Sequence, residues 1–356
     1  MVKCVIWDLD NTLLSGVFLE SAPQPPAADL AMLATATQLG GRGIIHAVAS
    51  KNPPEAAEHA AKVTGLQFAA AECGWGRKSE SVQRIITDLN LAADAVAFVD
   101  DDPYERAEVS FALPDVLVLA PEDMNDAVGW PEFSPGQPIT PEARRRGEMY
   151  AARRCRHAEA RAFAGSPGEF AAYSAAKLTI ARATAADVPR LHELSVRTHQ
   201  FNSRGEAVAE AALAAMVASP AHRVATVRLS DRFGDDGMVG ASVAGPGVSD
   251  PETGGRTWTV ELLMMSCRAM GRGVIEALLS WLVRSAARDG AGLIAVPCLI
   301  SPRNVPLRLA LTGAGFRAGP GSQPGRPAMF SRQLPEPLTE PLTEPLPGWV
   351  TAPEDW

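Results

Sequence analysis

Two aspartates two residues apart, Asp8 and Asp10 in Trp7-Asp8-Leu9-Asp10-Asn11-Thr12, are the sharpest chemical signal in this chain. They close a short apolar run, so both can project around one strand end toward a single ligand. A second apolar run, Val96–Val99, also stops at acid, in Asp100-Asp101-Asp102. Carboxylates converging from two strand ends repel one another unless a cation sits among them, and an oxygen-rich site favours Mg2+, which clamps phosphoryl groups. Between the two runs lie Ser50, closing IIHAVAS, and Lys78, in WGRKSES. In this reading Ser50 and Lys78 hold the other phosphoryl oxygens while Asp8 attacks phosphorus to give an aspartyl phosphate. Each motif alone is also an ordinary acidic or polar turn; four of them in order favour chemistry.

A second constellation follows the apolar run TVELLMMS: Cys267-Arg268-Ala269-Met270-Gly271-Arg272-Gly273, then an apolar helical pattern. The RxxGxG spacing puts small residues where main-chain N–H groups can wrap an anion at a helix N-terminus. Asn304 and the pair Gly315-Phe316 lie further on. A free cysteine is usually a small buried hydrophobe. Cys267, beside Arg268 and a helix start, is placed where a thiolate is favoured. Cys4 falls inside an apolar run, and Cys73 lies near Lys78 as a further candidate. His199, in RTHQFN, is a possible base or a neutral structural residue.

The elements that must position these residues alternate. Residues 2–9, 43–49, 66–70, 96–99 and 116–119 read as strands, separated by helical patterns at 27–39, 53–64 and 81–91. Val82, Ile85, Ile86 and Leu89 share one helical face. Such alternation predicts an α/β domain with a mainly parallel sheet, its ligands beyond the carboxyl ends of the strands. Residues 121–141 are rich in Pro, Gly and acid and read as a boundary, followed by a basic helix over 144–164. From 178 the pattern becomes α+β: strands at 178–182, 222–229, 238–245, 258–265 and 293–299, helices at 186–198, 274–287 and 305–312. The expected division is a first domain over 1–125, linker and connecting helix over 126–177, a second domain over 178–325, and a Pro-rich tail over 326–356. The tail's EPLTEPLTEPL, from Glu336, lacks the backbone donors for helix and reads as extended.

Composition narrows the classes. The chain has 356 residues, 46% hydrophobic and 21% charged, with 33 Lys and Arg against 41 Asp and Glu, a formal charge of -8. That fits two globular domains and argues against non-specific nucleic-acid binding. The five cysteines are odd in number and form no CxxC pair, which disfavours a disulfide scaffold or a zinc cluster. Acid follows directly on the first apolar run, unlike a signal peptide, and no apolar run is long enough to span a membrane. A cytoplasmic location is expected.

The ordered set DLDNT (8–12), Ser50, Lys78 and FVDDDPYER closely resembles the haloacid dehalogenase superfamily of phosphohydrolases. The resemblance implies Asp8 as nucleophile and Asp10 as general acid/base. It also implies Mg2+ positioned by Asp8, the main-chain carbonyl of Asp10, and Asp100, with Asp101 assisting. Too few residues separate Thr12 from Ser50 for an independent cap domain, so a large or carrier-bound substrate is plausible. Residues 178–320 resemble the GNAT acyltransferase fold, whose RxxGxG loop, here Arg268, Gly271 and Gly273, with Asn304 beyond, holds coenzyme A or a phosphopantetheine arm.

Taken together, VKCVIWDLDNTL, ASKNP, WGRKSES, FVDDDPYERAEV, RTHQFN, DRFGDDGMVG and MSCRAMGRG resemble the FkbH-like family from residue 2 to about 320. The resemblance implies a glyceryl transferase/phosphatase of polyketide biosynthesis. Such an enzyme takes glyceryl from 1,3-bisphosphoglycerate, removes the remaining phosphate and delivers D-glyceryl thioester to an acyl carrier protein. Cys267 is then the expected glyceryl carrier. The chain departs from the family pattern at Leu14, where Trp is common, and at Asp102 and His199, where Asn is common; these touch the pocket rather than the reaction type. Three rival readings stand beside it: a plain Mg2+-dependent small-molecule phosphatase, a GNAT enzyme using coenzyme A, and a non-catalytic carrier-docking module.

Overall fold

Cys4–Trp7 (β1) is buried along its whole length, as a strand covered on both faces must be. Alternate residues point to opposite faces. Val5 and Trp7 enter one apolar core and Cys4 and Ile6 the other. In the computed structural model, which describes residues 1–21, 24–134, 139–246, 256–320, 323–334 and 346–354, the chain divides into two units, Met1–Ala162 and Phe163–Trp356.

The first unit runs β1, α1 (Leu30–Gly41), β2 (Ile45–Ser50), α2 (Pro54–Thr64), β3 (Phe68–Cys73), α3 (Lys78–Leu89), β4 (Val96–Val99), α4 (Pro103–Ala112) and β5 (Leu117–Leu119). All five strands are parallel, in the order β3-β2-β1-β4-β5. The order reverses at β1, where β2 lies on one side and β4 on the other. This is the doubly wound α/β arrangement, and the crevice between β1 and β4 is its switch point, where such sheets take ligands. Val82, Ile85, Ile86 and Leu89 of α3 are buried, as their spacing predicts.

The stretch expected to be a boundary is largely built into this unit. The short helices α5 (Met124–Ala127) and α6 (Pro141–Arg144) lead to α7 (Arg146–Ala162). Met124, Ala127, Val128 and Phe133 join one core and Tyr150 the other. Its Pro and acid content marks turns, and the few apolar residues between them decide where it packs.

In the second unit α8 (Pro167–Tyr173) precedes β6 (Lys177–Arg182), α9 (Val188–Arg197), α10 (Glu210–Ala218), β7 (Arg223–Asp231), β8 (Gly234–Pro246) and β9 (Thr257–Met265). Then come α11 (Val274–Arg288), β10 (Leu293–Leu299), α12 (Val305–Gly313), β11 (Arg317–Ala318), β12 (Pro327–Gln333) and β13 (Val350–Thr351). The sheet order is β11-β12-β10-β9-β8-β7-β6-β13. β6 to β9 form an antiparallel meander and β10 joins β9 in parallel. This is the α+β class expected for it. The proline repeat of the tail lies outside the described residues apart from Leu346, but residues past it return to the sheet, where Val350 pairs with Leu178 in parallel. No helix among the described residues is long and apolar enough to cross a membrane.

Candidate active site

The β1–β4 pairing continues one step beyond the strand, with Asp8 N–H donating to Val99 O at 2.9 Å. Asp8 and Asp100 thus leave adjacent strand ends side by side. Both are buried, and single carboxylate oxygens of Asp8, Asp100 and the exposed Asp101 all lie within 4.8 Å of one another. Asp100 Oδ1 accepts from Asp102 N–H (2.9 Å), and the Arg106 guanidinium donates to the carbonyls of Asp100 and Asp101, each at 2.7 Å. The acidic turn is therefore pinned from below by α4.

Lys78 is the first residue of α3, a position the helix dipole disfavours for a cation. Three carboxylates outweigh that. Lys78 Nζ lies 2.6 Å from Asp8 Oδ1, 3.1 Å from Asp100 Oδ2 and 2.8 Å from Glu105 Oε2, and donates to Ala49 O at 3.1 Å. Burial opposes its charge, but these acids hold the ammonium above its ordinary range. Burial raises the Asp8 carboxyl above the usual range even against Lys78, and pushes Asp100 up to about 7. Burial also opposes the charge of Glu105, but hydrogen bonds from Lys51 and Lys78 leave it below its usual range.

Asp10 stands apart from this carboxylate cluster. Its Oδ1 accepts from Phe18 N–H and its Oδ2 from Asn52 Nδ2, both at 3.0 Å. The same amide donates to Ser50 Oγ (3.1 Å), and the Ser50 side chain hydrogen-bonds Asp8. Ser50, Asn52, Asp10 and Asp8 are thus linked in one chain of hydrogen bonds. Thr12 Oγ1 and Asn52 Oδ1 are buried without a hydrogen-bond partner, and Asp100 Oδ2 has only the Lys78 ammonium beside it, a state that a ligand would relieve. All-oxygen donors, two of them on buried carboxylates, suit a hard divalent cation such as Mg2+.

Sequence reasoning passed over Glu105, Lys51 and Asn52. Lys51 Nζ pairs with Glu105 Oε1 at 2.7 Å, so Glu105 links two lysines. Their only signal in the sequence is the polarity of ASKNP and DDDPYER.

In the second unit, Cys267 opens a single 3-10 turn, Cys267–Ala269, capped by Ser266 Oγ. Cys267 is partly exposed, whereas Cys4 and Cys298 are fully buried. Burial pushes the Cys298 thiol up to about 11, raises Cys4 further still, and raises Cys73. Gly271 and Gly273 adopt left-handed backbone, φ 73° and 70°, just ahead of α11, conformations that favour glycine. A groove of about 850 Å³ is lined by Met265, Ala269, Met270 and Gly271 on this side and by Pro306 and Leu309 of α12 on the other.

The side chains of Arg268 and Asn304 face inward. Arg268 is buried, with Nη2 donating to Asp236 O and Nε to Ser266 Oγ, both at 3.4 Å. Asn304 is fully buried and ties its own loop, donating to Leu299 O and accepting from Ser301 N–H (3.1 Å). Arg268 thus shapes the turn, and the N–H groups of Ala269, Met270 and Arg272 donate within it, to the carbonyls of Ser266, Cys267 and Ala269. Arg272 is held by Asp231 (2.7 Å) and Asp236. His199 is exposed, and Phe201, two residues on, lines the groove.

The rest of that motif has a clear structural place. The β9–β10 ladder runs only over Thr257–Thr259 and Leu293–Ala295. Further along, Ser203 N–H donates to Leu263 O (2.9 Å) and Leu299 N–H donates to Ser203 O (2.8 Å). Phe201–Ser203 thus bridges the two strands where their own pairing has ended.

No protein-family model and no curated protein matches the chain in sequence. Among solved structures, the N-terminal part of a Bacteroides fragilis protein, containing a phosphatase domain complexed with Mg, is similar at 28% identity, covering 36% of this chain and 39% of that one, TM-score 0.33. The 3-deoxy-D-manno-octulosonate 8-phosphate phosphatase of Moraxella catarrhalis is similar at 18% identity, covering 32% and 64%, TM-score 0.27. The ribosomal-protein-S18-alanine N-acetyltransferase of Escherichia coli is similar at 15% identity, covering 45% and 94%, TM-score 0.33. The chain therefore spans well under half of the Bacteroides protein it matches.

Proposed function

We propose that the first unit is a Mg2+-assisted phosphohydrolase and the second an acyltransferase, and that together they load D-glyceryl from 1,3-bisphosphoglycerate onto the phosphopantetheine arm of an acyl carrier protein. The observation that carries the reading is Lys78, buried between Asp8 and Asp100 at the switch point of a parallel sheet. A phosphoryl group there would meet a carboxylate nucleophile, an ammonium and a Ser50 hydroxyl at once.

The residues that would hold the cation are Asp8, Asp100 and Asp101, with the main-chain carbonyl of Asp10. When bound, a hard divalent ion offsets the carboxylate charges and polarises a phosphoryl oxygen. Asp8 attacks the phosphorus of the C3 phosphate as the bond to the glyceryl oxygen breaks, and Asp10 gives that oxygen a proton. Asp10 then takes a proton from water, whose oxygen attacks the aspartyl phosphate and frees Asp8. Lys78 and Ser50 steady the phosphoryl oxygens throughout.

The C1 acyl phosphate is already activated. The Cys267 thiolate attacks its carbonyl carbon, phosphate leaves, and a thioester forms without ATP. The carrier's thiolate attacks that thioester, the Cys267 Sγ–acyl bond breaks, and Cys267 leaves as thiolate. Partial exposure favours Cys267 over the buried Cys4 and Cys298, and in sequence it falls between Met265 and Ala269, which line the groove although Cys267 itself does not. Gly271 and Gly273 let the loop approach the pantetheine phosphate. Incubation with 1,3-bisphosphoglycerate and peptide mass mapping tests this assignment: glyceryl should sit on Cys267 and disappear in Cys267→Ala. Labelling retained in that variant contradicts it.

A further inference from the structure

The first unit carries a second polar cleft that shares no residue with the Asp8–Lys78 site. It lies among β3, α3 and α7, has a volume of about 450 Å³, and is floored by Ala69, Ala70 and Ala71. Small side chains leave the space open, and Leu89 and Tyr150 give it an apolar wall. Its rim is cationic. Arg153, His157 and Arg161 recur at every fourth residue of α7 and so share one face of that helix.

Guanidinium groups gathered along one cleft repel one another, so they need an offsetting group. The protein supplies little. Of the two carboxylates in the lining, Glu72 is taken by Arg84 at 2.7 Å, which leaves Asp88 against three arginines. Arg154 is anchored, donating to Phe68 O at 3.1 Å. Arg153 Nη1, by contrast, is buried with no hydrogen-bond partner. Burial, together with Arg153, Arg156 and Arg161, holds His157 below its usual pKa, with Asp88 acting the other way. A cluster of this sign is unexpected on a chain of net charge -8.

We propose that this cleft binds a small phosphate-bearing anion, its charged group on Arg153 and Arg161 and its uncharged body over the alanine floor. Guanidinium groups pair with phosphate through two parallel hydrogen bonds, which would satisfy the orphaned Arg153 nitrogen. A dianion would also offset the charge of the arginines that line the cleft. The site is independent of the catalytic reading, since neither nucleophile nor glycine loop contributes to it.

Arginine modification by phenylglyoxal, followed by peptide mass mapping of the full-length protein in Mg2+-free buffer, tests it with pyrophosphate as probe. Pyrophosphate should slow modification of Arg153 and Arg161 at least about fivefold and leave the exposed Arg317 unchanged. In Arg161→Gln the protection of Arg153 should fall, while Asp8→Asn should retain it. Equal modification of Arg153 and Arg161 with and without pyrophosphate would overturn the proposal. So would protection by an oligoglutamate peptide but not by pyrophosphate, an outcome that makes the cleft a peptide-docking surface.

Discussion

The Lys78 ammonium lies 2.6 Å from Asp8 Oδ1, with both side chains almost wholly removed from solvent. A buried pair of this kind is costly to break from one side, because the remaining charge has no water to return to. Lys78→Met should therefore lower stability by about 3–5 kcal/mol in urea denaturation. Addition of Mg2+ should recover part of the loss, since a cation supplies positive charge to the same carboxylates. Loss of phosphatase activity with unchanged stability would mean that Lys78 is not the partner holding these acids together.

Cation binding should depend on pH through Asp100. Its carboxyl, pushed up to about 7 by burial, is mostly protonated at pH 6 and ionised at pH 8. A cation needs the ionised form, so Mg2+ affinity by titration calorimetry should rise over this range, by up to about tenfold per unit below the pKa. Asp100→Asn should bind weakly at both values. Asp101→Asn, altering an exposed ligand, should lose less affinity.

His46 should make the first unit acid-sensitive. It is buried, Trp7 Nε1 donates to its Nδ1 at 3.1 Å, and burial lowers its pKa to about 4. The unfolded chain takes up this proton near pH 6.5 while the folded protein resists until about 4. Stability is therefore lost as pH falls between those values, by about 3 kcal/mol in total. His46→Gln, which keeps an acceptor for Trp7 and does not titrate, should remove that share of the slope between pH 7 and 4.5. An unchanged slope would show that His46 protonates without cost.

The two loop glycines should differ. Both have left-handed backbone, but a Cβ at Gly273 would meet the Trp349 ring at 3.3 Å, whereas one at Gly271 meets open space. Gly271→Ala should cost about 1 kcal/mol by urea denaturation. Gly273→Ala should cost more, because Trp349 must also shift.

The first site was legible because its residues close apolar runs: Asp8 and Asp100 each follow a buried strand, Ser50 ends one, and Lys78 opens an amphipathic helix. Glu105, Lys51 and Asn52 were not, since they sit where any surface helix or loop carries polar residues and only the sheet's closure turns them inward. The same limit applied to Arg268 and Asn304. Their spacing points to a ligand, whereas the hydrogen bonds they make run to the β8 carbonyl of Asp236 and, for Asn304, to its own loop. Met124 and Phe133 show the converse, apolar residues inside a turn-rich stretch that packs on the core. The two-residue strand Val350–Thr351 is too short to carry a pattern, and pairing with β6 alone defines it.

Whether both sites act on one substrate, as proposed, is decided by intact-protein mass spectrometry of a carrier protein. Protein, Mg2+, 1,3-bisphosphoglycerate and a phosphopantetheinylated acyl carrier protein are incubated together. The carrier should gain unphosphorylated glyceryl with the native protein, phosphoglyceryl or nothing with Asp8→Asn, and nothing with Cys267→Ala. A carrier of unchanged mass with the native protein, while free phosphate esters are hydrolysed, would contradict it and leave a phosphatase alone.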